Sequence, residues 1–262
     1  EHNRKATFKM TISIREMCFL WPNSEAATLN KISMDLPISC RCILAGSNGT
    51  GKSCLMRTIG GLYRYDGSIQ VHGKDVFAPD FWGTSTAKEI VAGMNVWRNE
   101  NCVIVGERWS PKGDSKVSTM LQFVSGWSPS RRDMLVERFG IDMDWRVNQL
   151  SDGRKRKVQL LLAFLNPCSV LLLDEVTTDL DVLARQSLLD FLKEESTERG
   201  TTIVFSTHIF DGLEDWGTHL ALLSSAGTLP HGAPALADVD GLRLLREAGA
   251  PTPLFTFTES WV

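Results

Sequence analysis

The sequence predicts an α/β fold: a buried parallel β-sheet covered by helices, with an antiparallel β portion near the N-terminus and a small helical subdomain. Three observations predict it: alternating apolar residues early in the chain, continuous apolar runs later, and helical patterns between those runs. Alternation is typical of strands with one buried face, whereas continuous runs are typical of strands in a parallel sheet. The 262 residues, 43% hydrophobic and 23% charged, have an ordinary globular composition.

The N-terminal strands are predicted from the alternation. Residues 8–14, 32–36 and 69–71 place apolar side chains at every second position, and the last segment follows the turn residues Asp66 and Gly67. Segments of this period, separated by turn residues, favour antiparallel pairing. We therefore expect an antiparallel β subdomain in this part of the chain.

The main sheet and its helices are predicted from run length and period. Continuous apolar runs occupy residues 42–45, 102–105, 170–173 and 203–205. Helical patterns lie between them, at residues 52–59, 154–165 and 182–195. Buried strands that alternate with helices predict a parallel α/β core.

Two regions differ from this pattern. Residues 110–149 are polar, contain helix candidates at 116–124 and 131–139, and lack a buried run. The C-terminal region is rich in Pro, Gly and Ala, with a helix candidate at 242–247 and a segment at 255–258 that is either a strand or a docking segment. The predicted organisation is one domain over residues 1–223, with a helical subdomain inserted at about 110–153 and a tail over 224–262.

Composition excludes several classes of protein. The net charge of −3 gives no chain-wide reason to expect nucleic acid or an anionic membrane as a partner. The longest apolar stretch, residues 158–173, is interrupted by polar residues and a proline, so no direct membrane insertion is expected. The six cysteines form no C-x-x-C pair, which is typical of reduced cysteines in an intracellular protein. We expect a cytoplasmic location, and a nuclear or organellar one stays open.

A phosphate-binding loop is predicted after the first buried run. The motif G-x-x-x-x-G-K-[ST] is matched by Gly46-Ser47-Asn48-Gly49-Thr50-Gly51-Lys52-Ser53, between a predicted strand and a predicted helix. Glycines allow backbone N–H groups to surround phosphate oxygens, and the helix N-terminus adds partial positive charge. Lys52 would neutralise β- and γ-phosphate charge, and the Ser53 hydroxyl would bind Mg²⁺. A glycine-rich turn without a ligand is disfavoured because strand, loop, Lys-Ser pair and helix occur together.

Two carboxylates follow the buried run at 170–173. Asp174 and Glu175 therefore lie at the carboxyl edge of the predicted sheet, where ligands bind in such folds. Asp174 is suited to hold Mg²⁺, and Glu175 to polarise a water that attacks the γ-phosphate. An acidic strand end alone is a weak signal, but the phosphate loop makes it a strong one.

These motifs together resemble those of the ATP-binding cassette (ABC) ATPases, a P-loop NTPase family. The family's L-S-G-G-Q signature resembles Leu150-Ser151-Asp152-Gly153-Arg154, whose serine lies 23 positions before Asp174. The D-loop resembles Thr178-Asp179-Leu180-Asp181. The resemblance runs from about residue 8 to residue 223.

Two further residues resemble family positions. His208 follows a predicted strand, as the family's switch histidine does; a purely structural histidine is the alternative. Trp21, 25 positions before Gly46, resembles the aromatic residue that stacks on adenine, although most of the eight tryptophans are expected to serve packing.

The resemblance implies an ABC-type nucleotide-binding domain with ATP as substrate and Mg²⁺ as cofactor. The implied catalytic residues are Glu175, His208 and Lys52. The implied metal contacts are Ser53, Asp174 and Glu107, and the residues that would act on the nucleotide of a second subunit are Ser151, Gly153 and Asp181. The implied ATP-binding residues are Trp21, Gly46, Ser47, Asn48, Gly49, Thr50, Gly51, Lys52, Ser53 and Cys54.

The chain departs from the family pattern at two places. Asp152 replaces a signature glycine; we expect it to cap the following helix, with the basic run 154–157 offsetting its charge. That run is interpreted as a solvated helix face rather than a nucleic-acid patch. Glu107, or else Arg108, occupies the position of a glutamine that touches Mg²⁺ in the family, which weakens the case for coupling to a membrane domain.

The motifs also resemble a narrower group, the small soluble eukaryotic ABC proteins that lack membrane domains. A fungal form associated with the CCR–NOT machinery and plant stand-alone forms belong to that group. The function implied is an ATPase that dimerises, with itself or a related ABC subunit, around two nucleotides and acts on a protein complex. The alternatives are a nucleotide-binding scaffold with little turnover and the ATPase subunit of a transporter whose membrane domains lie on another chain.

Overall fold

The computed structural model describes residues 10–78, 89–90, 95–99, 101–106, 108–111 and 113–261. Its strands are β1 (Met10–Phe19), β2 (Leu29–Pro37), β3 (Arg41–Ala45), β4 (Asp66–Val71), β5 (Lys74–Asp75), β6 (Glu89–Ile90), β7 (Val96–Arg98), β8 (Cys102–Val105), β9 (Val170–Asp174), β10 (Thr202–Ser206) and β11 (His219–Leu222). Its helices are α1 (Lys52–Ile59), α2 (Val117–Met120), α3 (Pro129–Phe139), α4 (Asp152–Phe164), α5 (Val182–Arg199), α6 (Asp240–Glu247) and α7 (Pro253–Glu259).

The N-terminal strands form an antiparallel sheet in the order β2-β1-β4-β5. Ile12 and Ile14 of β1 are fully buried, as the alternation predicts, whereas Met10 at the start of the strand is exposed. The antiparallel β subdomain is therefore confirmed, although Phe8, from which the predicted strand begins, lies outside the described residues.

The second sheet has the order β11-β3-β10-β9-β8-β7-β6. The strands from β11 to β8 are parallel, and β7 and β6 are added antiparallel at one end. Every residue of β3, β8, β9 and β10 is buried, which confirms the interpretation of the four apolar runs. Because β3, β10 and β9 are parallel neighbours, the loops that follow them open at one edge of the sheet.

Helix α1 lies between the two sheets. Leu55, Met56 and Ile59 are buried in one apolar cluster with residues of both sheets, Ile14 and Leu172 among them. The polar residues Lys52 and Thr58 are buried as well, whereas Arg57 is not. The packing fixes the N-terminus of α1, and hence the preceding loop, at the carboxyl edge of the parallel sheet.

The predicted helical region contains α2 and α3. Helix α2 is shorter than the predicted 116–124 segment, because a 3₁₀ turn, Leu121–Phe123, follows it. Helix α3 begins after Ser128, whose side chain accepts the N–H of Arg131. The guanidinium of Arg131 in turn makes two buried bonds, both 2.9 Å, to Glu195 of α5. The helical region is thus joined to the core helix by a buried ion pair, and its boundaries at 110–153 stay a prediction.

The C-terminal residues pack against the main domain. Leu236, Leu242 and Leu254 are buried in the same cluster as strands β9 and β10. Residues 255–258 belong to α7, so the strand interpretation was wrong. Pro253 occupies a favourable first-turn position, and Thr258 donates to the carbonyl of Leu254 one turn earlier. The alternating Phe and Thr residues therefore lie on a helix. Within the described ranges, no helix combines the length and the apolar character that a bilayer span requires.

Candidate functional site

The predicted phosphate loop lies between β3 and α1, at the carboxyl edge of the sheet. Gly46 and Gly51 have φ values of 156° and 103°. A Cβ at Gly46 would lie 2.5 Å from the carbonyl oxygen of Leu223, and one at Gly51 would lie 2.9 Å from Leu29. Both positions therefore require glycine, for backbone conformation and for space. The tight packing gives the loop a fixed shape before any ligand is considered.

Lys52, the first residue of α1, is buried beneath this loop. Its ammonium donates hydrogen bonds to the carbonyl oxygens of Gly46 at 2.8 Å and Ser47 at 3.0 Å. Burial lowers the pKa of Lys52, while the nearby charges of Glu175 and Asp174 act in the opposite direction. The lysine, the loop and the acidic pair thus share one electrostatic environment.

Asp174 is the last residue of β9 and is buried. Its Oδ1 atom has no hydrogen-bond donor among the described residues. A buried carboxylate oxygen without a partner is unfavourable unless a cation or a water satisfies it. Asp174 and the hydroxyl of Ser53 are oxygen donors, the type that Mg²⁺ prefers. The residues present therefore fit a magnesium ion.

Glu175 adopts a left-handed backbone conformation, with φ of 52°. This conformation is unfavourable for a residue with a Cβ, by about 1–3 kcal/mol, and it occurs preferentially at functional sites. The N–H of Glu175 donates to the carbonyl of Ser206 at 3.0 Å, which ties the residue to β10. The carboxylate is thereby turned toward the loop that follows β10.

His208 lies in that loop. Its Nδ1 is 2.8 Å from Oε2 of Glu175, although the two residues are 33 positions apart. The structure thus brings Lys52, Asp174, Glu175 and His208 together at the ends of β3, β9 and β10. This arrangement favours the functional interpretation of His208 over a purely structural one.

Trp21 follows β1 and is 41% exposed. Its ring makes edge contacts with Phe19 and Tyr63, with centroid distances of 5.0 Å and 5.2 Å. Tyr63 also stacks on Phe19 at 5.3 Å and accepts a hydrogen bond from Arg57 of α1. Tyr63 was not predicted as part of this cluster, because an aromatic residue shortly after α1 is no specific signal in the sequence. Trp21 is thus both a packing residue and a partly open aromatic surface.

The signature residues lie at the start of α4. Ser151 is the N-cap residue, and its Oγ accepts the N–H of Arg154. The expectation that Asp152 caps the helix was therefore wrong: Asp152 lies inside the first turn and pairs with Lys155 at 3.1 Å. Ser151 precedes the helix and has the extended backbone that a cap requires.

The basic run 154–157 is not a uniformly solvated face, so that interpretation was also wrong. Arg156 is buried, and its guanidinium bonds to Gly106, Gln159 and Asp179. Arg154 packs over the ring of Trp145, and Lys157 lies 3.6 Å from Asp181. Within the chain these side chains therefore bind protein groups.

Asp181 is the N-cap residue of α5. Its Oδ1 accepts the N–H of Ala184 at 2.8 Å, and this bond lowers the pKa of Asp181. Ser151, Gly153 and Asp181 form a second group of predicted site residues, linked by contacts between the start of α4 and residues 179–181. Asp181 lies on the segment that follows the acidic pair, so the chain joins this group to the first.

Glu107 lies outside the described residues. Arg108, the alternative for the same position, is largely exposed and pairs with Asp179 at 2.8 Å. This pairing was not predicted, because the two residues are far apart in the sequence and no local pattern links them.

A phosphate loop between a parallel strand and a helix, with a carboxylate pair at the carboxyl end of another parallel strand of the same sheet, defines the class of P-loop NTPases. Comparison with known proteins assigns the family within that class. Residues 29–178 match the family model described as ABC transporter. The chain belongs to the ABC family, whose members are generally ATP hydrolases, and the predicted fold and family resemblance are confirmed.

Relatives of this chain include a plant protein and a yeast protein. The chain is 37% identical over 223 residues to ABC transporter I family member 20 of Arabidopsis thaliana, covering 82% of this chain and 67% of that protein. It is 36% identical over 214 residues to CCR4-associated factor 16 of Saccharomyces cerevisiae, covering 79% of this chain and 73% of that protein. The predicted similarity to plant and fungal ABC proteins is confirmed.

Solved structures share the fold. The ATP-binding subunit of an ABC transporter superposes with a TM-score of 0.73 at 20% identity, covering 95% of this chain and 98% of that one. A dimeric ATP-binding cassette in a post-hydrolysis state, bound to ADP and phosphate, superposes with a TM-score of 0.70 at 18% identity, covering 86% and 98%.

Proposed function

We propose that this protein binds and hydrolyses Mg·ATP as a dimer with composite sites and acts on a protein partner. The observation that carries the proposal is the 2.8 Å contact between Glu175 and His208 beside the phosphate loop. A carboxylate on a residue with a strained backbone, held against a histidine, is suited to catalysis, whereas nucleotide binding alone requires only the loop and a cation site.

Each residue has a distinct role in the proposed reaction. The backbone N–H groups of residues 46–51 and the ammonium of Lys52 bind and orient the phosphates. Glu175 accepts a proton from the attacking water, and His208 holds the Glu175 carboxylate and faces the γ-phosphate. Trp21 stacks on the adenine.

Ser53 and Asp174 would hold Mg²⁺, and Glu107 remains a proposed contact. When bound, the ion offsets negative charge on the β- and γ-phosphates. The unpartnered Oδ1 of Asp174 supports this assignment. A metal-bound Asp174 also explains why the chain retains a buried carboxylate at the end of β9.

The residues that complete the nucleotide site are proposed to come from another subunit. Ser151 at a helix N-terminus offers a hydroxyl, and Gly153 a backbone N–H, both good phosphate donors. In a dimer these groups and Asp181 would complete the site built on the partner's phosphate loop. The dimeric cassette bound to ADP and phosphate has the same fold, which supports a dimer without fixing whether it is a homodimer.

The protein partner is proposed from similarity. The name of the yeast relative describes association with CCR4, and we infer that this chain likewise acts on a protein complex. A cytoplasmic location agrees with the six free cysteines.

A phosphate-release assay on the purified protein tests turnover. We expect Mg·ATP-dependent release, reduced about 10²–10⁴-fold in kcat by Glu175→Gln, because a general base contributes that much. The dissociation constant for ATP should change little, because Glu175 is assigned to the water and not to the nucleotide. Glu247→Gln, an exposed glutamate on α6, is the matched control and should behave as wild type.

The same assay distinguishes an ATPase from a nucleotide-binding scaffold with little turnover. A scaffold would bind ATP, yet release phosphate no faster than its own Glu175→Gln variant. That result would contradict the proposed ATPase activity.

A further inference from the structure

Arg156 is an unusual residue for the inside of a helix-packed core. It is 3% exposed, and burial lowers the pKa of its guanidinium. The negative charge of Asp179 offsets part of this lowering. The guanidinium donates to the carbonyl of Gly106 at 3.1 Å, to Oε1 of Gln159 at 2.7 Å and to Oδ2 of Asp179 at 3.3 Å. One side chain of α4 therefore contacts the end of β8 and the segment that follows the acidic pair.

Asp179 receives two guanidinium groups. Its side chain is 7% exposed, and its second oxygen, Oδ1, lies 2.8 Å from Arg108. Arg108 itself is 68% exposed. The carboxylate is thus fixed between a buried arginine and a surface arginine, on a segment that runs from Glu175 to Asp181.

The backbone at Asp179 also packs against the signature. A Cβ placed on Gly153 would lie 2.7 Å from the carbonyl oxygen of Asp179. Gly106, another partner of Arg156, is next to the acidic pair, because a Cβ there would lie 3.9 Å from the Cβ of Asp174. The network therefore joins both halves of the site within one subunit.

A buried ion pair is a poor way to gain stability alone. Removing charges from water is costly, and a well-packed apolar pair of similar volume is often as stable. What charges with fixed hydrogen bonds add is a defined geometry, because only one arrangement satisfies all of them. A role in positioning explains their presence better than a role in stability.

We propose that Asp179, held by Arg156 and Arg108, is a positioning residue that locks the start of α4 to residues 175–181. Ser151, Gly153 and Asp181 then present a single rigid surface to the nucleotide of the partner subunit. The inference rests on the proposed composite site, and it predicts that Asp179 acts in trans: its loss impairs the site of the other subunit.

Hybrid dimers with one active hydrolysis site test directly whether Asp179 acts in trans. The subunit with the intact Glu175 is called the live subunit. One subunit carries Glu175→Gln, so that hydrolysis occurs only at the phosphate loop of the other, and phosphate release is measured in a single turnover. Asp179→Asn is placed either in the Glu175→Gln subunit or in the live one. Asp240→Asn, which breaks the exposed pair with Arg243, is the matched control.

We expect release to slow by about 10- to 100-fold when Asp179→Asn is in the Glu175→Gln subunit, because small displacements of positioned groups have effects of this size. In the live subunit, the effect should be much smaller. Arg108→Ala should slow phosphate release in the same arrangement, but by a smaller factor. This variant tests the inference if Asp179→Asn does not fold.

Equal slowing in both arrangements, or slowing only in the live subunit, would overturn the inference and leave the composite dimer standing. Absence of release from every hybrid, including the one with Asp179 intact, would overturn the proposed function and the inference together.

Discussion

At the scale of single residues, the proposed catalysis depends on the contact between Glu175 and His208. Both were predicted as site residues, one from its position after a buried strand and one from the family resemblance. Their 2.8 Å contact depends on β9 and β10 being neighbours in the sheet, and the left-handed conformation of Glu175 depends on its bond to Ser206. Neither property is encoded locally, so only the structure provides them.

Trp21 gives a test of nucleotide binding by a single residue. Stacking of an aromatic ring on a base is worth about 1–3 kcal/mol, so Trp21→Ala should raise the dissociation constant for ATP by about 5- to 150-fold. Trp21→Phe should retain most of the affinity, because a stacking surface remains. Isothermal titration calorimetry measures both variants.

Trp261 is the matched control for this measurement. It is similarly exposed, at 42%, and lies beyond α7, where it contacts Phe257 and His231. Trp261→Ala should leave the affinity for ATP unchanged. An unchanged affinity for Trp21→Ala would instead assign Trp21 to packing against Phe19 and Tyr63.

At the scale of elements, the buried pair Arg131–Glu195 joins α3 to α5 and so fixes the helical region on the core. Removing Arg131 leaves the buried Glu195 carboxylate with the half-exposed Arg199, 3.0 Å away, as its remaining charged partner, which costs up to about 3–5 kcal/mol. Arg131→Met should therefore lower the free energy of unfolding by that amount, measured by urea denaturation. The double variant Arg131→Met/Glu195→Leu should recover most of the loss, because neither charge remains.

Glu194→Gln is the control for this pair. Glu194 binds Arg138 at a partly exposed position, so its loss should cost less than about 1 kcal/mol. Equal losses for Arg131→Met and Glu194→Gln would show that the buried pair does not fix the helical region.

The elements that carry the site were predictable from the sequence. Helix α1 was predicted with its observed bounds, and β3, β8, β9 and β10 to within a residue at each end, because long buried runs and a glycine-lysine motif are strong local signals. Strand β11 was missed because its four residues, two of them buried and two half-buried, are too few to give a periodic pattern. Helix α7 was misinterpreted because alternating Phe and Thr residues are typical of a strand. The hydrogen bond from Thr258 to the carbonyl of Leu254, one helical turn earlier, is seen only in the structure.

At the scale of the whole molecule, the predicted site residues fall into two groups: one is assembled within a single chain, and the other is proposed to act on a second subunit. The phosphate loop, the acidic pair and His208 come together within one chain. Ser151, Gly153 and Asp181 form a separate group, and the family resemblance, not any local pattern, predicted that they serve a partner. The network of Arg108, Arg156 and Asp179 was not predictable, because it joins three segments that only the fold brings together.

The mass of the Glu175→Gln variant in solution, measured by sedimentation velocity, tests the composite site most directly. Without nucleotide we expect a monomer of 29.1 kDa, and with saturating Mg·ATP a particle of twice that mass. Ser151→Ala in the same background should weaken the ATP-dependent dimer, because its hydroxyl is assigned to the partner's nucleotide. A particle that stays monomeric at saturating Mg·ATP, while calorimetry shows ATP bound, would contradict the account.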